Sequence, residues 1–219
     1  MKNILLLSIA LLSTVLCWAQ KDPEAEKLLI AVEKKANAYH SIKTDFEYQI
    51  NSVGESGIDT YKGSVLIKGK KFKMELDGTT TFSDGKTRWV FLKGNNEVNI
   101  SDIVSDEDLD FEEKFLIDPL SIFSIYKNGF KYMLNGNETI ENKNLTVIDL
   151  SPESLDNPYF KIRCWFTSEN DLHSLKYFLK DGTRMTLILS NIIIDQKVKD
   201  SDFEFNTSDY KGVEIIDLR

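Results

Sequence analysis

Histidine is the side chain most often recruited for acid–base work near neutral pH, and the 219-residue chain holds only His40 and His173. Neither accompanies a Ser or Cys in a nucleophile-elbow arrangement, so both read as surface residues. Cys164 alternates with Phe160, Ile162 and Phe166, while Lys161 and Arg163 take the opposite face. That is the pattern of a buried, inert thiol. No H-E-x-x-H, phosphate-cradling Gly loop or dinucleotide fingerprint occurs. The carboxylates of Asp102, Asp106, Glu107, Asp108, Asp110, Glu112 and Glu113 are crowded, but they lack the spacing and glycine of a calcium loop and read as a solvated stretch. The chain therefore reads as a non-enzyme that needs neither a metal nor a nucleotide cofactor.

Residues 4–16 form an apolar run behind Lys2, too short to span a bilayer and followed by the small residues Cys17 and Ala19 at the −3 and −1 positions of a cleavage site. Residues 1–19 thus read as a secretory leader cut before Gln20. Leu16 is bulky where a lipid-attachment box needs a small side chain, so no acyl anchor is expected on Cys17. Removing the leader takes the formal net charge from −8 to −9, which disfavours nucleic acid as a partner. It also leaves Cys164 alone, without an internal disulfide. Residues 20–219 are expected to form one monomeric domain. Abundant Asn, Lys and Ile fit an AT-rich bacterial genome, and hence a periplasmic destination.

Around these residues the periodicity sets the elements. Residues 22–38 place Leu28, Leu29, Val32 and Ala36 on one side of an amphipathic helix opened by Asp22-Pro23. From residue 44 the period becomes two, predicting strands around Phe46, Tyr48 and Ile50, then 61–67, 72–76, 87–91 and 98–100. Residues 101–113 read as an exposed acidic loop. Asp118 and Pro119 then open a short helix over 119–127, apolar nearly all round. Strands follow at 130–134, 145–150, 159–167, 172–180 and 183–194, the last two joined by a two-residue turn at Asp181-Gly182, with a short strand at 203–205 and a tail at 213–216. About ten antiparallel strands with two helical segments predict a mainly β fold, one strongly curved sheet with helices on its concave side. The hollow of such a half-barrel predicts an apolar pocket.

The run Gly63 to Leu76, followed by Ser83-Asp84-Gly85-Lys86-Thr87-Arg88-Trp89, resembles the periplasmic outer-membrane lipoprotein carrier family, LolA, in which S-D-G-K-T-x-W is the most recognisable motif. The leading helix, the Ser41 to Tyr48 segment and Phe203-x-Phe205 before Gly212-Val213 agree. The stretches 92–98 and 122–132 resemble its Bacteroidota-type members. The resemblance implies an incomplete, unclosed β-barrel with a helical lid, holding the acyl chains of lipoproteins between an inner-membrane lipoprotein-releasing ABC transporter of the LolCDE kind and an outer-membrane acceptor. Two positions depart from the proteobacterial pattern. Gly69-Lys70-Lys71 stands where that pattern has Arg-Pro, and Asn206-Thr207 where it has Pro-Pro. The lid-locking arginine is therefore not carried over.

The candidate lining of the apolar cavity is Leu28, Val32, Phe46, Tyr48, Val65, Ile67, Met74, Trp89, Phe91, Ile122, Phe123 and Tyr126. Strand alternation fixes which of these share a face, not which face is inward. Competing readings are a carrier or sensor of another envelope lipid or glycolipid, an exported hydrolase using paired carboxylates, and a solid structural module.

Overall fold

The computed structural model describes residues 21–103, 115, 118–127 and 129–219. The leader and residues 104–113 of the acidic stretch lie outside the described residues. Helix α1 (Pro23–Ala38) starts where the Asp22 carboxylate accepts hydrogen bonds from the N–H groups of Glu24 (2.9 Å) and Ala25 (3.4 Å). Glu24 and Glu26 lie in its first turn and Lys35 in its last, complementing the helix dipole. Ala25, Leu29, Val32 and Ala36 recur at helical spacing and bury one face.

Among the described residues twelve strands form one curved, unclosed sheet. They are β1 (Ile42–Asn51), β2 (Asp59–Lys68), β3 (Lys71–Leu76), β4 (Thr79–Ser83), β5 (Thr87–Leu92), β6 (Glu97–Asp102), β7 (Phe130–Ile140), β8 (Lys143–Pro152), β9 (Tyr159–Phe166), β10 (Leu172–Leu179), β11 (Arg184–Ile194) and β12 (Glu214–Asp217). The order β12-β6-β5-β4-β3-β2-β1-β11-β10-β9-β8-β7 joins two meanders, β1–β6 and β7–β11, through an antiparallel β1–β11 pairing. β12 lies parallel to β6, the N–H of Leu218 reaching the Ile100 carbonyl at 2.8 Å. The far edge is tied to the start of α1. Asp22 donates its N–H to the Tyr132 carbonyl (3.0 Å), and its carboxylate accepts from Leu134 N–H (3.1 Å).

The main core lies on the inner face, where α1 and the segment after residue 118 pack on Phe46, Val65, Ile67, Phe72, Met74, Ile148, Leu150, Ile162, Leu175 and Leu187. A second cluster on the outer face joins Phe82, Phe91 and Val98 to Phe205, Trp89, Tyr210 and Val213. The C-terminal segment thus wraps the outside of β4–β6.

Several expectations are corrected. The helix expected over 119–127 is a pair of 3-10 turns, Pro119–Phe123 and Ile125–Lys127, with Asp118 capping the first through Leu120 N–H (3.1 Å). Serine hydroxyls bond back to carbonyls three residues earlier, Ser121 to Asp118 (2.6 Å) and Ser124 to Ser121 (3.3 Å), which favours the tighter turn. Strand β4 was not expected. Its Thr-Thr-Thr run carries no apolar alternation, yet it pairs with both β3 and β5. The Ser83–Lys86 motif is the turn after it, with Asp84 Oδ1 accepting from the N–H groups of Lys86 (2.8 Å) and Thr87 (2.7 Å). At the β10–β11 turn, Gly182 donates to the Leu179 carbonyl (3.2 Å) and Leu179 to that of Thr183 (3.0 Å). Gly182 alone takes positive φ, 95°. The loop is therefore three residues long with a glycine bulge, not a two-residue turn. The strand expected at 203–205 is a 3-10 turn, Asp200–Phe203, and the tail expected at 213–216 supplies β12. Phe160 points outward, because a register shift at Phe178/Leu179 turns Tyr159 to the inner face instead.

Candidate binding site

Phe46 on β1 sits opposite Gly63 on β2. A Cβ at Gly63 would lie 2.4 Å from Phe46 Cζ and 2.5 Å from the Glu75 carbonyl oxygen, so only glycine lets the ring lie across the sheet. Phe115 meets that ring edge-on, with centroids 5.4 Å apart. Val65, Ile67 and Met74 continue the face by strand alternation, and Val32 approaches from α1.

Ile122, Phe123 and Tyr126, from the two 3-10 turns, close over this surface. A polar clasp holds them. The Tyr126 hydroxyl donates to Glu33 Oε2 (2.8 Å), the Lys127 ammonium donates to the same carboxylate, and two turns earlier on α1 Glu26 accepts from the Tyr132 hydroxyl (2.9 Å). Burial would raise the Glu33 pKa, but the hydrogen bonds from Lys127 and Tyr126 outweigh it and hold the carboxyl below its ordinary value. Burial and then the Glu26 contact push the Tyr132 hydroxyl up to about 12.

Beneath the segment is an almost wholly apolar pocket of about 40 Å³. Benzene occupies an apolar cavity of about 150 Å³, so this pocket has no room for an acyl chain unless its walls move. A much larger groove of about 490 Å³ opens farther along the inner face.

The candidate residues divide accordingly. Val32, Val65, Ile67, Ile122 and Phe123 line the small pocket, and Tyr126 lines a void of about 10 Å³ next to it. Tyr48 and Met74 line the open groove. Phe46 is buried in the same core, with Leu28 packed partly buried against it. Trp89 and Phe91 are not with them. They face outward, Phe91 lying 5.6 Å from Phe205 and 4.4 Å from Tyr210 between ring centroids, because the returning C-terminal segment covers their side of the sheet. Sequence reasoning missed Tyr39, Phe115, Leu189 and Ile192 at the pocket, and Tyr61, Arg88 and Val90 at the groove. Alternation would have placed Arg88 and Val90 inward once Trp89 and Phe91 were placed outward.

The side chains considered for chemistry stay apart from these cavities. His40 is 92% exposed beside Asp195, at 3.6 Å. His173 is half-buried rather than on the surface, with Nδ1 3.1 Å from the Ser174 hydroxyl, and burial lowers its pKa. Cys164 is buried, and burial pushes its thiol up to about 12. Among the described residues no group of three or more His, Cys, Asp or Glu side chains could hold a metal ion, and no helix is long and apolar enough to cross a membrane.

A family profile described as outer membrane lipoprotein carrier protein LolA matches residues 15–150. No curated protein matches the chain. Among solved structures, LprF from Mycobacterium bovis is similar at 13% identity and a TM-score of 0.50, over 82% of this chain and 97% of that one. The lipoprotein LppX from Mycobacterium tuberculosis is similar at 16% identity and a TM-score of 0.47, over 80% and 98%. A LolA superfamily protein from Nitrosomonas europaea is similar at 14% identity and a TM-score of 0.44, over 83% and 97%. At such identities the likeness is one of fold.

Proposed function

Because the chain belongs to the family of the outer membrane lipoprotein carrier protein LolA, we propose that it is a periplasmic carrier of lipoproteins, holding their acyl chains on the inner face of the half-barrel between the inner and the outer membrane. The observation that carries this reading is the apolar seam between β1–β3 and a short segment held to α1 mainly by the Glu33 clasp. Each methylene kept from water contributes about 0.8 kcal/mol, so one long acyl chain strongly favours any surface that can enclose it. The segment needs only to swing aside for the seam to become a trough. No bond is made or broken, and neither nucleotide nor metal enters. The donor is an inner-membrane lipoprotein-releasing ABC transporter of the LolCDE kind, and the recipient an outer-membrane acceptor. The protein works as a monomer after a leader is cut before Gln20, which N-terminal sequencing of the periplasmic protein checks.

The test is calorimetry with an acylated peptide. Burial of apolar surface predicts a negative heat-capacity change that EDTA leaves unaltered. Phe123→Glu places a charge where burial without a partner is costly. The variant is expected to keep its sheet by circular dichroism and lose the peptide. Binding equal to the parent would make the segment mere core. Native mass spectrometry of the protein from its own periplasm reads the cargo's mass, and a glycolipid mass would replace the lipoprotein reading.

A further inference from the structure

The open groove of about 490 Å³ on the inner face is walled by Ile50, Met74, Leu76, Arg88 and Val90, with Asp77 also in its lining. Its size lies within the roughly 300–1,000 Å³ of pockets that hold small ligands. Most of the lining is apolar or carries a single hydroxyl. Arg88 and Asp77 are the exceptions. Arg88 occupies the free position of the 83–89 run, and alternation on β5 turns it inward, opposite Ser83 on one side and Ser101 on the other.

The Arg88 Nε is buried and has no hydrogen-bond partner among the described residues. No carboxylate among them lies within ion-pair distance of its guanidinium, whereas Arg163 pairs with Asp149 and Glu138. Buried donors in folded proteins are nearly always satisfied, and one carried by a cation that cannot be neutralised is costly to leave open. A guanidinium without an acceptor, in the wall of an apolar groove, fits a ligand that brings the acceptor with it. Asp77, the one acid in the lining, belongs to the β3–β4 turn near Leu92, about 13 Å from Arg88 along the strand direction. An anion at Arg88 therefore sits at the opposite end of the groove from it.

We propose that this groove binds an amphiphile with an acidic headgroup, its carboxylate or phosphate on Arg88 and its alkyl chain along Met74, Leu76, Val90 and Ile50. This rests on the reading of the inner face as a lipid-binding surface and adds the headgroup chemistry that surface selects. The site is distinct from the seam under the 3-10 segment, whose lining includes neither Arg88 nor Val90.

Calorimetry of the purified protein with laurate, dodecyl phosphate, uncharged dodecanol and inorganic phosphate tests it. Both charged amphiphiles are expected to bind at least tenfold more tightly than dodecanol, and inorganic phosphate alone not measurably. Arg88→Met keeps an apolar stem of similar length and is expected to bring the preference below twofold with dodecanol binding intact. Arg88→Lys retains part of it. In the unaltered protein, laurate is expected to shift the Arg88 Nε–H resonance, a readout that holds even if the methionine variant does not fold. Equal affinity for charged and uncharged chains, a preference that survives Arg88→Met, or an unmoved Nε–H resonance overturns the Arg88 site while leaving the carrier reading in place. Phosphate binding as tightly as dodecyl phosphate makes it a free-anion site and overturns the proposal. Binding of none of the chains overturns the groove proposal, and the carrier reading falls with it only if the acylated peptide also fails to bind.

Discussion

Arg163 shows how one strand position organises the outside of the second meander. Its guanidinium grips Asp149 in a two-pronged pair, Nε to Oδ1 at 2.7 Å and Nη2 to Oδ2 at 2.8 Å, and reaches Glu138 at 2.9 Å, which also accepts from the Trp165 indole at 2.8 Å. Burial would raise the Asp149 pKa, but the hydrogen bonds and charge of Arg163 outweigh it and hold the carboxyl below its ordinary value of 3.8. A folded-state pKa below the unfolded one means stability fully present above the unfolded value and lost as pH falls through the folded one. Arg163→Met leaves half-buried Asp149 with only Lys161, 3.9 Å away, and the Asn135 amide at 3.0 Å, and is expected to cost about 2–3 kcal/mol at pH 7. Urea melts at pH 7 and pH 3 check this, with the gap between parent and variant shrinking at the lower pH. The pair was legible only in part. Alternation put Arg163 opposite Cys164, but its partners lie on β8 and β7 and no local pattern announces them. Arg88 was hidden for another reason, since assigning Trp89 and Phe91 inward consigned it to the surface.

Among the elements, the segment over 119–127 is the one whose behaviour the carrier reading depends on. Two 3-10 turns have too few internal hydrogen bonds to persist alone, so the segment rests on the sheet and on the Glu33 clasp. Glu33→Gln keeps the shape and removes the charge that Tyr126 and Lys127 share. It is expected to weaken the clasp by about 1–2 kcal/mol. Hydrogen exchange is the measurement, with amides of 119–127 exchanging several-fold faster at pH 7 and those of β1 and β2 unchanged. Acid acts in the same direction, because the clasp is complete above the ordinary carboxyl pKa of 4.5 and fails as pH falls through the depressed value of Glu33. Helix α1 was legible because cap, proline, charges and apolar spacing all agree. The 3-10 turns were not, since the same cap and proline open either kind of helix and only the serine back-bonds decide. β4 escaped because threonines pair in a sheet without any hydrophobic rhythm.

On the scale of the whole molecule, the sheet does not close on itself, and the two ends of the described chain lie at its two edges. Asp22 bonds to β7, and β12 lies against β6. An uncovered edge is a template for pairing with another chain. The C-terminal segment is fastened by Phe205, which stacks on Tyr210 with centroids 4.4 Å apart and meets Phe82 edge-on at 5.8 Å. Phe205→Ala is expected to cost about 3 kcal/mol, and light scattering on warming is expected to rise earlier than for the parent as β6 and the Trp89 row are bared. The curved sheet was legible from the count and alternation of strands. Its strand order was not, because a strand's sequence says which face is apolar and nothing about a neighbour far along the chain.

The seam between β1 and β11 separates two times as well as two halves. The Thr44 hydroxyl donates to the Ser190 carbonyl, 146 positions on, at 2.8 Å, whereas β1 meets β2 within a single hairpin. Contacts so distant form only after most of the chain has lost its freedom, so such topologies fold slowly. The first meander can assemble while one flank of β1 still awaits its partner, and in a chain threaded N-terminus first that wait lasts until β11 emerges. If the seam forms after the rate-limiting step, Leu187→Ala, at its buried centre, is expected to speed unfolding with little change in the folding rate, while Val65→Ala, inside the first meander, slows folding. Stopped-flow measurements of both limbs distinguish the two. The half-barrel is thus also a clock, its last tick the arrival of β11.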